Sequence, residues 1–230
     1  MFLPDNIDLG QSEKYILSVR IAPDSFMFSI MEPGIGKSYC LKETSLSAND
    51  NLLGNIQRII FDLNFLTQEY KQTNVIIVSP DYTLTPAAYS NAKQAKSIYD
   101  FTHSKKGGHI LSGLLDEQDI VLSYSIEQEV FEFLSRNLWN PVFYHHSFLM
   151  IHWFDKKSKF HANSSKMYLN FHSHFMDVIC FEGDKLIHCI TFDNENSSYQ
   201  SYFILKIWEN CHFDQLNDNL FIVGKPERML

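Results

Sequence analysis

Apolar and polar residues alternate in three short runs between Lys14 and Glu43, which predicts strands at about 14–21, 25–31 and 37–43. Ala22-Pro23-Asp24 turns the first into the second, and Glu32-Pro33-Gly34-Ile35-Gly36 ends the second. The spacing then changes. Leu52, Leu53, Ile56, Ile59, Ile60, Leu63 and Leu66 recur at threes and fours, which predicts an amphipathic helix of about five or six turns. Ser47 is its expected N-cap, with Asp50 in the first turn. Asn74–Ser79 is a nearly continuous β-branched run, the pattern of a strand buried on both faces beside a parallel neighbour. Residues 1–12 are polar and read as an arm or tail.

The pattern continues through a mixed middle. Tyr82-Thr83-Leu84-Thr85-Pro86 reads as a short strand or turn, with Pro86 near the first position of a helix. Residues 103–109 read as a surface loop, Ile120–Ser125 as a strand, and Glu127–Leu138 as a helix capped by Ser125. Pro141–Tyr144 follows as a strand and His146–Lys156 as a helix.

The opening pattern then returns. Lys166–His172, Phe175–Glu182 and Lys185–Phe192 read as strands, with Gly183-Asp184 as a hairpin turn. Asp193 or Asn194 starts a helix whose Tyr199, Phe203, Ile207, Trp208 and Cys211 face the core, and Asn219–Gly224 is the closing strand. Leu17 maps onto Met167 and Phe28 onto Val178, each 150 positions on, and Val75 maps onto Leu220, 145 positions on. One order of elements at one spacing predicts two similar halves, 1–158 with an insertion around 81–118, and 159–230. The first half continues as helix, strand and helix, and the second lacks that continuation.

Composition narrows the function classes. Of 230 residues, 45% are hydrophobic and 20% charged, as in a globular domain with a real core. The net charge of −8 opposes a general nucleic-acid binder, which needs a basic footprint. The N-terminal residues lack a basic stretch followed by an apolar one, so no signal peptide is expected. The most apolar stretch, Phe143 to Phe154, is interrupted by His145, His146, Ser147 and His152, so no transmembrane segment is expected. Cys40, Cys180, Cys189 and Cys211 form no C-x-x-C pair and read as free thiols of a reducing cytoplasm.

Three strands, a helix and a strand, followed by further alternating units, resemble the ribonuclease H-like fold. Two such halves resemble the actin-like ATPase architecture, an α/β fold with mixed sheets. The chain is also similar to a bacterial family of unknown function with an actin-like ATPase fold. The residues that carry the likeness are Tyr82–Pro86, the segment Tyr202-Phe203-Ile204-Leu205-Lys206-Ile207-Trp208-Glu209, and Asn219-Leu220-Phe221-Ile222-Val223-Gly224.

That resemblance implies where nucleotide chemistry belongs. In the actin-like class each half holds phosphate in the hairpin between its first two strands, with an aspartate for Mg²⁺ and glycines that let backbone N–H groups approach. Glycine is needed because positive φ costs other residues about 1–2 kcal/mol. Here the first hairpin, Ile21-Ala22-Pro23-Asp24-Ser25, has no glycine, and Pro23 removes a donor. The second, His172-Ser173-His174-Phe175, has no glycine and no carboxylate until Asp177. Gly224 alone matches the adenosine loop, and Lys225 stands where a second glycine belongs. Asp24, Asp177 and Gly224 are therefore the weak cofactor-binding candidates, and no catalytic residue, cofactor or metal site is assigned. Two-metal nuclease chemistry would need clustered carboxylates, which neither first strand supplies.

Ten histidines, among them His145, His146, His152, His172 and His174, show no zinc-ligand spacing. Lys105-Lys106-Gly107-Gly108 lacks the spacing of a P-loop. Aromatic residues make up 14% of the chain, and any excess left outside the core is expected to mark a partner surface. The expectation is a cytoplasmic, non-catalytic binding or adaptor protein whose partner is another protein. The alternative is a nucleotide-binding ATPase or kinase with an atypical site near Asp24, Asp177 and Gly224. The segment His145–Lys157, with Phe148, Leu149, Ile151, Trp153 and Phe154, is expected to form a buried helix against the second sheet.

Overall fold

The structure is a computed structural model that describes residues 7–34, 39–104, 107–158, 164–193 and 197–224. Most of the polar arm, Ile35 to Lys37, Lys105, Lys106, Asn194 and Lys225 lie outside the described residues. The chain divides into two compact units, Met1–Leu114 with Asp119–His146, and Leu115–Gln118 with Ser147–Leu230. The division differs from the halves drawn on the sequence, because 115–118 and 147–158 group with the second unit.

The first unit is built on a five-stranded sheet. Its strands are β1 (Ile16–Ile21), β2 (Ser25–Met31), β3 (Tyr39–Ser45), β4 (Gln72–Ile77) and β8 (Pro141–His145), in the order β3-β2-β1-β4-β8. β1, β2 and β3 pair antiparallel, while β4 runs parallel to both β1 and β8. This is the ribonuclease H-like order. The alternation read on the sequence decides the faces: Leu17, Val19, Ile21, Phe26, Phe28 and Ile30 are buried. β4 alternates too, with Thr73, Val75 and Ile77 buried and their neighbours part-exposed, so its β-branched run is not buried on both faces as expected.

Helix α1 (Leu52–Asp62) buries Ile56, Ile59 and Ile60. Its N-cap is Asn51, whose side chain accepts from Gly54 N, and not Ser47. Ser47 is instead held by Asn55, whose Oδ1 accepts from Ser47 N at 2.8 Å. The helix is three turns long, because Leu63 leaves helical geometry and Asn64–Thr67 tightens into a 3-10 turn. Phe65 in that turn meets Phe28 edge-on at 5.5 Å. Leu9–Lys14, within and beyond the stretch read as an arm, is also a 3-10 turn, tied down by Ser12 Oγ donating to Glu69 O at 2.7 Å.

The insertion and the strand after it form a separate three-stranded sheet of β5 (Tyr82–Pro86), β6 (His109–Leu115) and β7 (Ile120–Ile126), in the order β5-β7-β6. Helix α2 spans Ala92–Thr102 and α3 spans Gln128–Asn137. Ser125 does not cap α3, whose N-cap Glu127 makes no side-chain cap bond. Ser125 Oγ accepts from Gly108 N at 2.8 Å instead. A Cβ at Gly108 would press on the Ile126 carbonyl, so Gly108 serves close packing of backbone on backbone, while a Cβ at Gly107 would meet the Ile110 side chain.

The second unit repeats the first four strands of the plan. β9 (Lys166–Phe171), β10 (Phe175–Glu182), β11 (Lys185–Asp193) and β12 (Asn219–Gly224) order as β11-β10-β9-β12. β9 to β11 pair antiparallel, and β12 runs parallel to β9. The two first hairpins close with the same bond, Ala22 N to Ser25 O and His172 N to Phe175 O, each 2.9 Å. Pro23 and Ser173 thus occupy equivalent turns. The fourth strands correspond differently from the sequence mapping. Val19 pairs with Val75 and the matching Leu169 pairs with Ile222, so Val75 corresponds to Ile222 and not to Leu220.

A helix packs on each face of the second unit's sheet, over β9 and β10. On one face Met167, Leu169, Met176, Val178 and Cys180 pack with Ile204 and Ile207 of α5 (Ser197–Asn210). Tyr199, expected inward, is exposed. On the other face stand Tyr168, Ile179 and Phe181, all buried, with Tyr168 stacked on Phe154 of α4 (His146–Ser158). The expected helix against this sheet is therefore present, with one correction. Ile151 and Phe154 are fully buried, while Trp153 is 52% exposed.

Candidate functional site

The end of the second sheet where β9 stops and β10 begins is where the resemblance puts phosphate. Asp177 on β10 is fully buried. Its Oδ1 accepts from Thr191 Oγ1 at 2.7 Å. Its Oδ2 accepts from Asn170 Nδ2 at 3.1 Å and lies 2.9 Å from His172 Nε2. Asn170 and Thr191 of the same sheet thus donate to the carboxyl group, with His172 just past β9 within hydrogen-bond distance, as a buried polar group requires. His172 and His174 do not share a strand face: His172 follows β9 and stacks on Phe175 at 4.2 Å, while His174 lies exposed in the turn.

Gly224 ends β12 in register with Phe171, one step from the Asn170–Asp177 pair. The sheet therefore brings Asp177 and Gly224 to the same end, where parallel strands present ligand sites. Gly224 has φ +81°, and a Cβ there would collide with the Phe171 carbonyl oxygen. The ladder itself requires glycine at this position.

Asp24 belongs to the first unit. Its carbonyl accepts from Leu46 N at 2.9 Å. Beside it, Arg20 of β1 is part-buried; burial lowers its pKa, opposed by Glu43 and Asp24. The first strands of the two hairpins, β1 and β9, carry Arg20 and Asn170 at matching positions and contain no carboxylate.

A hollow of about 690 Å³ in the first unit opens at the N-terminus of α3. Its rim carries Asp81, Glu127 and Glu129, charges that repel the anions a helix N-terminus attracts.

The second unit holds a site that the sequence reading missed. β12 is apolar through Leu220-Phe221-Ile222-Val223, yet Leu220 is 45%, Phe221 40% and Ile222 52% exposed. It is also an edge: among the described residues no strand pairs with its outer side. In the first unit that position, beside β4, is held by β8. Next to β12 lies a hollow of about 510 Å³ lined by Trp153, Phe154, Tyr168, Phe221, Lys157 and Lys166. Phe154, Tyr168 and Phe221 stack in a row, with centroids 3.8 and 4.9 Å apart and planes within 15°. Lys157 Nζ lies 5.4 Å over the Trp153 ring. Lys166 is buried, its Nζ donating to Ser164 O at 2.9 Å. Burial lowers its pKa, opposed by Asp218 and Asp184. The signal for this site was the comparison of the halves, since a further strand was read at 141–144 in the first and none in the second.

No helix among the described residues is long and apolar enough to cross a membrane. No curated protein matches the chain. The fold matches a Bacteroides thetaiotaomicron protein with an actin-like ATPase fold and unknown function, at 28% identity and a TM-score of 0.89, over 96% of this chain and 86% of that one. It also matches a chain of the PilM–PilN type IV pilus biogenesis complex, at 11% identity and a TM-score of 0.50, over 87% of this chain and 67% of that one. The fold is accordingly the actin-like ATPase fold, with two ribonuclease H-like halves. The model of one family matches residues 4–229, and the chain belongs to that family, DUF3822, a protein family of unknown function.

Proposed function

We propose that this protein is a non-catalytic binding or adaptor module on a degenerate actin-like fold, working in the cytoplasm with another protein as its partner. The observation that carries the reading is β12: an apolar strand, part-exposed and, among the described residues, unpaired on its outer edge, beside an aromatic hollow. Exposed strand edges template the addition of another chain. The missing phosphate chemistry supports the non-catalytic part. Neither hairpin contains glycine, and the Asp177 carboxylate already accepts from Thr191 and Asn170. Four free cysteines accord with a reducing compartment.

The alternative is a nucleotide-binding ATPase or kinase, favoured by the placement of Asp177 and Gly224 at one end of the second sheet. Thermal denaturation in ATP and Mg²⁺ decides between them. A nucleotide at 100 times its Kd adds about 2.7 kcal/mol of stability. The adaptor reading expects a flat response, and a clear upward shift of the melting temperature would sink it.

A further inference from the structure

We infer that β12 is the receptor edge for an extended segment of a different polypeptide, apolar at alternate positions and acidic at its flank, which adds to the second sheet as a parallel strand. The inference rests on the adaptor reading and specifies its partner.

The first unit supplies the geometry. β8 lies parallel to β4 in the register Thr73–Pro141 to Ile77–His145. β12 corresponds to β4, and its outer side carries no strand among the described residues. A six-residue strand there would meet backbone donors and acceptors along the whole of Asn219–Gly224. None of these six residues is charged or proline, the devices that ordinarily block edge pairing. The other edge of the same sheet, β11, carries Lys185 and Asp193.

The hollow supplies the chemistry. Its walls are the stacked rings of Tyr168 and Phe221 with Trp153, which suit an aromatic or branched side chain projecting from alternate positions of the added strand. The charged groups lining it, Lys157 and Lys166, are both cationic. A carboxylate next to the apolar anchor would pair with exposed Lys157.

A second copy of this chain fits less well. Pairing β12 with itself about a two-fold axis perpendicular to the sheet runs antiparallel, against the parallel order of this fold position. It would also join two chains of net charge −8.

The test uses the full chain as bait for a displayed library of random twelve-residue peptides, with Ile222→Lys and Lys157→Glu as paired baits. Both changes are on exposed positions, and circular dichroism checks that each variant folds. The expected result is enrichment of alternating β-branched or aromatic residues flanked by Asp or Glu. The consensus peptide, made synthetically, should slow amide exchange at Leu220–Gly224. Its affinity should fall by at least about tenfold on Ile222→Lys, and Lys157→Glu should remove the acidic preference. The inference is overturned by no enrichment, by peptides of helical periodicity, or by binding indifferent to Ile222→Lys. It is equally overturned if light scattering shows a dimer that Ile222→Lys dissolves, since the occupant is then a second copy. A nucleotide-induced thermal shift is a separate outcome: it sinks the non-catalytic reading and leaves the edge result standing.

Discussion

Phe154 and Tyr168 stack face to face, with ring centroids 3.8 Å apart and planes 14° from parallel. Phe154 projects from α4 and Tyr168 from β9, so one aromatic contact fastens the helix to the sheet. Its neighbour Trp153 leans outward. The two residues should therefore respond oppositely to truncation. Phe154→Ala removes a fully buried ring and should destabilise the second unit by about 3–5 kcal/mol. Trp153→Ala should cost about 1 kcal/mol or less. Urea unfolding of both variants, followed by far-ultraviolet circular dichroism, makes the comparison. Equal losses would mean that α4 packs through Trp153 after all.

Gln118 anchors the second unit with all parts of its amide. Nε2 donates to Asp155 Oδ1 at 2.7 Å and to the Asp184 carbonyl at 2.8 Å, while Oε1 accepts from Leu186 N at 2.7 Å. These bonds tie α4 to the β10–β11 turn. Gln118→Leu keeps the bulk and removes all three, for an expected loss of about 1–3 kcal/mol. Amide exchange at Leu186 should accelerate in the variant. Unchanged protection there would show that the bond is dispensable.

Why the strands were legible and the site was not follows from what each depends on. β2 and β12 have the bounds read from the sequence, because alternation and turn residues are local signals. Helix α1 ended early for a local reason as well: Leu63 continues the apolar spacing, but its backbone leaves the helix to enter the Asn64–Thr67 turn. Burial of β12 depends on something no window contains. Leu220-Phe221-Ile222-Val223 has the composition of a central strand, and its exposure goes with an outer side that no strand pairs among the described residues. Equally, Asp177 could be named from the sequence, but its partners Asn170, His172 and Thr191 come together only once β9, β10 and β11 pair.

Gly224 separates a structural glycine from a ligand-binding one. Gly224→Ala places a Cβ against the Phe171 carbonyl and forces a left-handed residue, φ +81°. Destabilisation of at least about 1–2 kcal/mol is expected from the backbone conformation alone. The loss should be the same with and without ATP and Mg²⁺ in the denaturation buffer. A loss that grows in the presence of nucleotide would assign Gly224 to a nucleotide site.

Alkaline pH should unfold the first unit through its phenols. Burial pushes the Tyr99 hydroxyl up to about 12, and pushes those of Tyr70 and Tyr124 up as well. In the unfolded chain a tyrosine ionises near pH 10. Below that pH all three are neutral in both states and the folded state bears no penalty. Above it the unfolded chain releases protons that the folded chain retains, so stability falls as pH rises. The decline should begin near pH 10 and continue through about pH 12, where Tyr99 itself ionises in the folded state. Tyrosinate absorbance followed alongside circular dichroism tests this, with part of the phenol signal expected to appear only as the secondary structure is lost. Replacing Tyr124 by Phe should shift the alkaline midpoint upward, because one proton-releasing group is removed from the unfolded state while the buried ring is kept. A midpoint unmoved by Tyr124→Phe would show that this phenol ionises alike in both states.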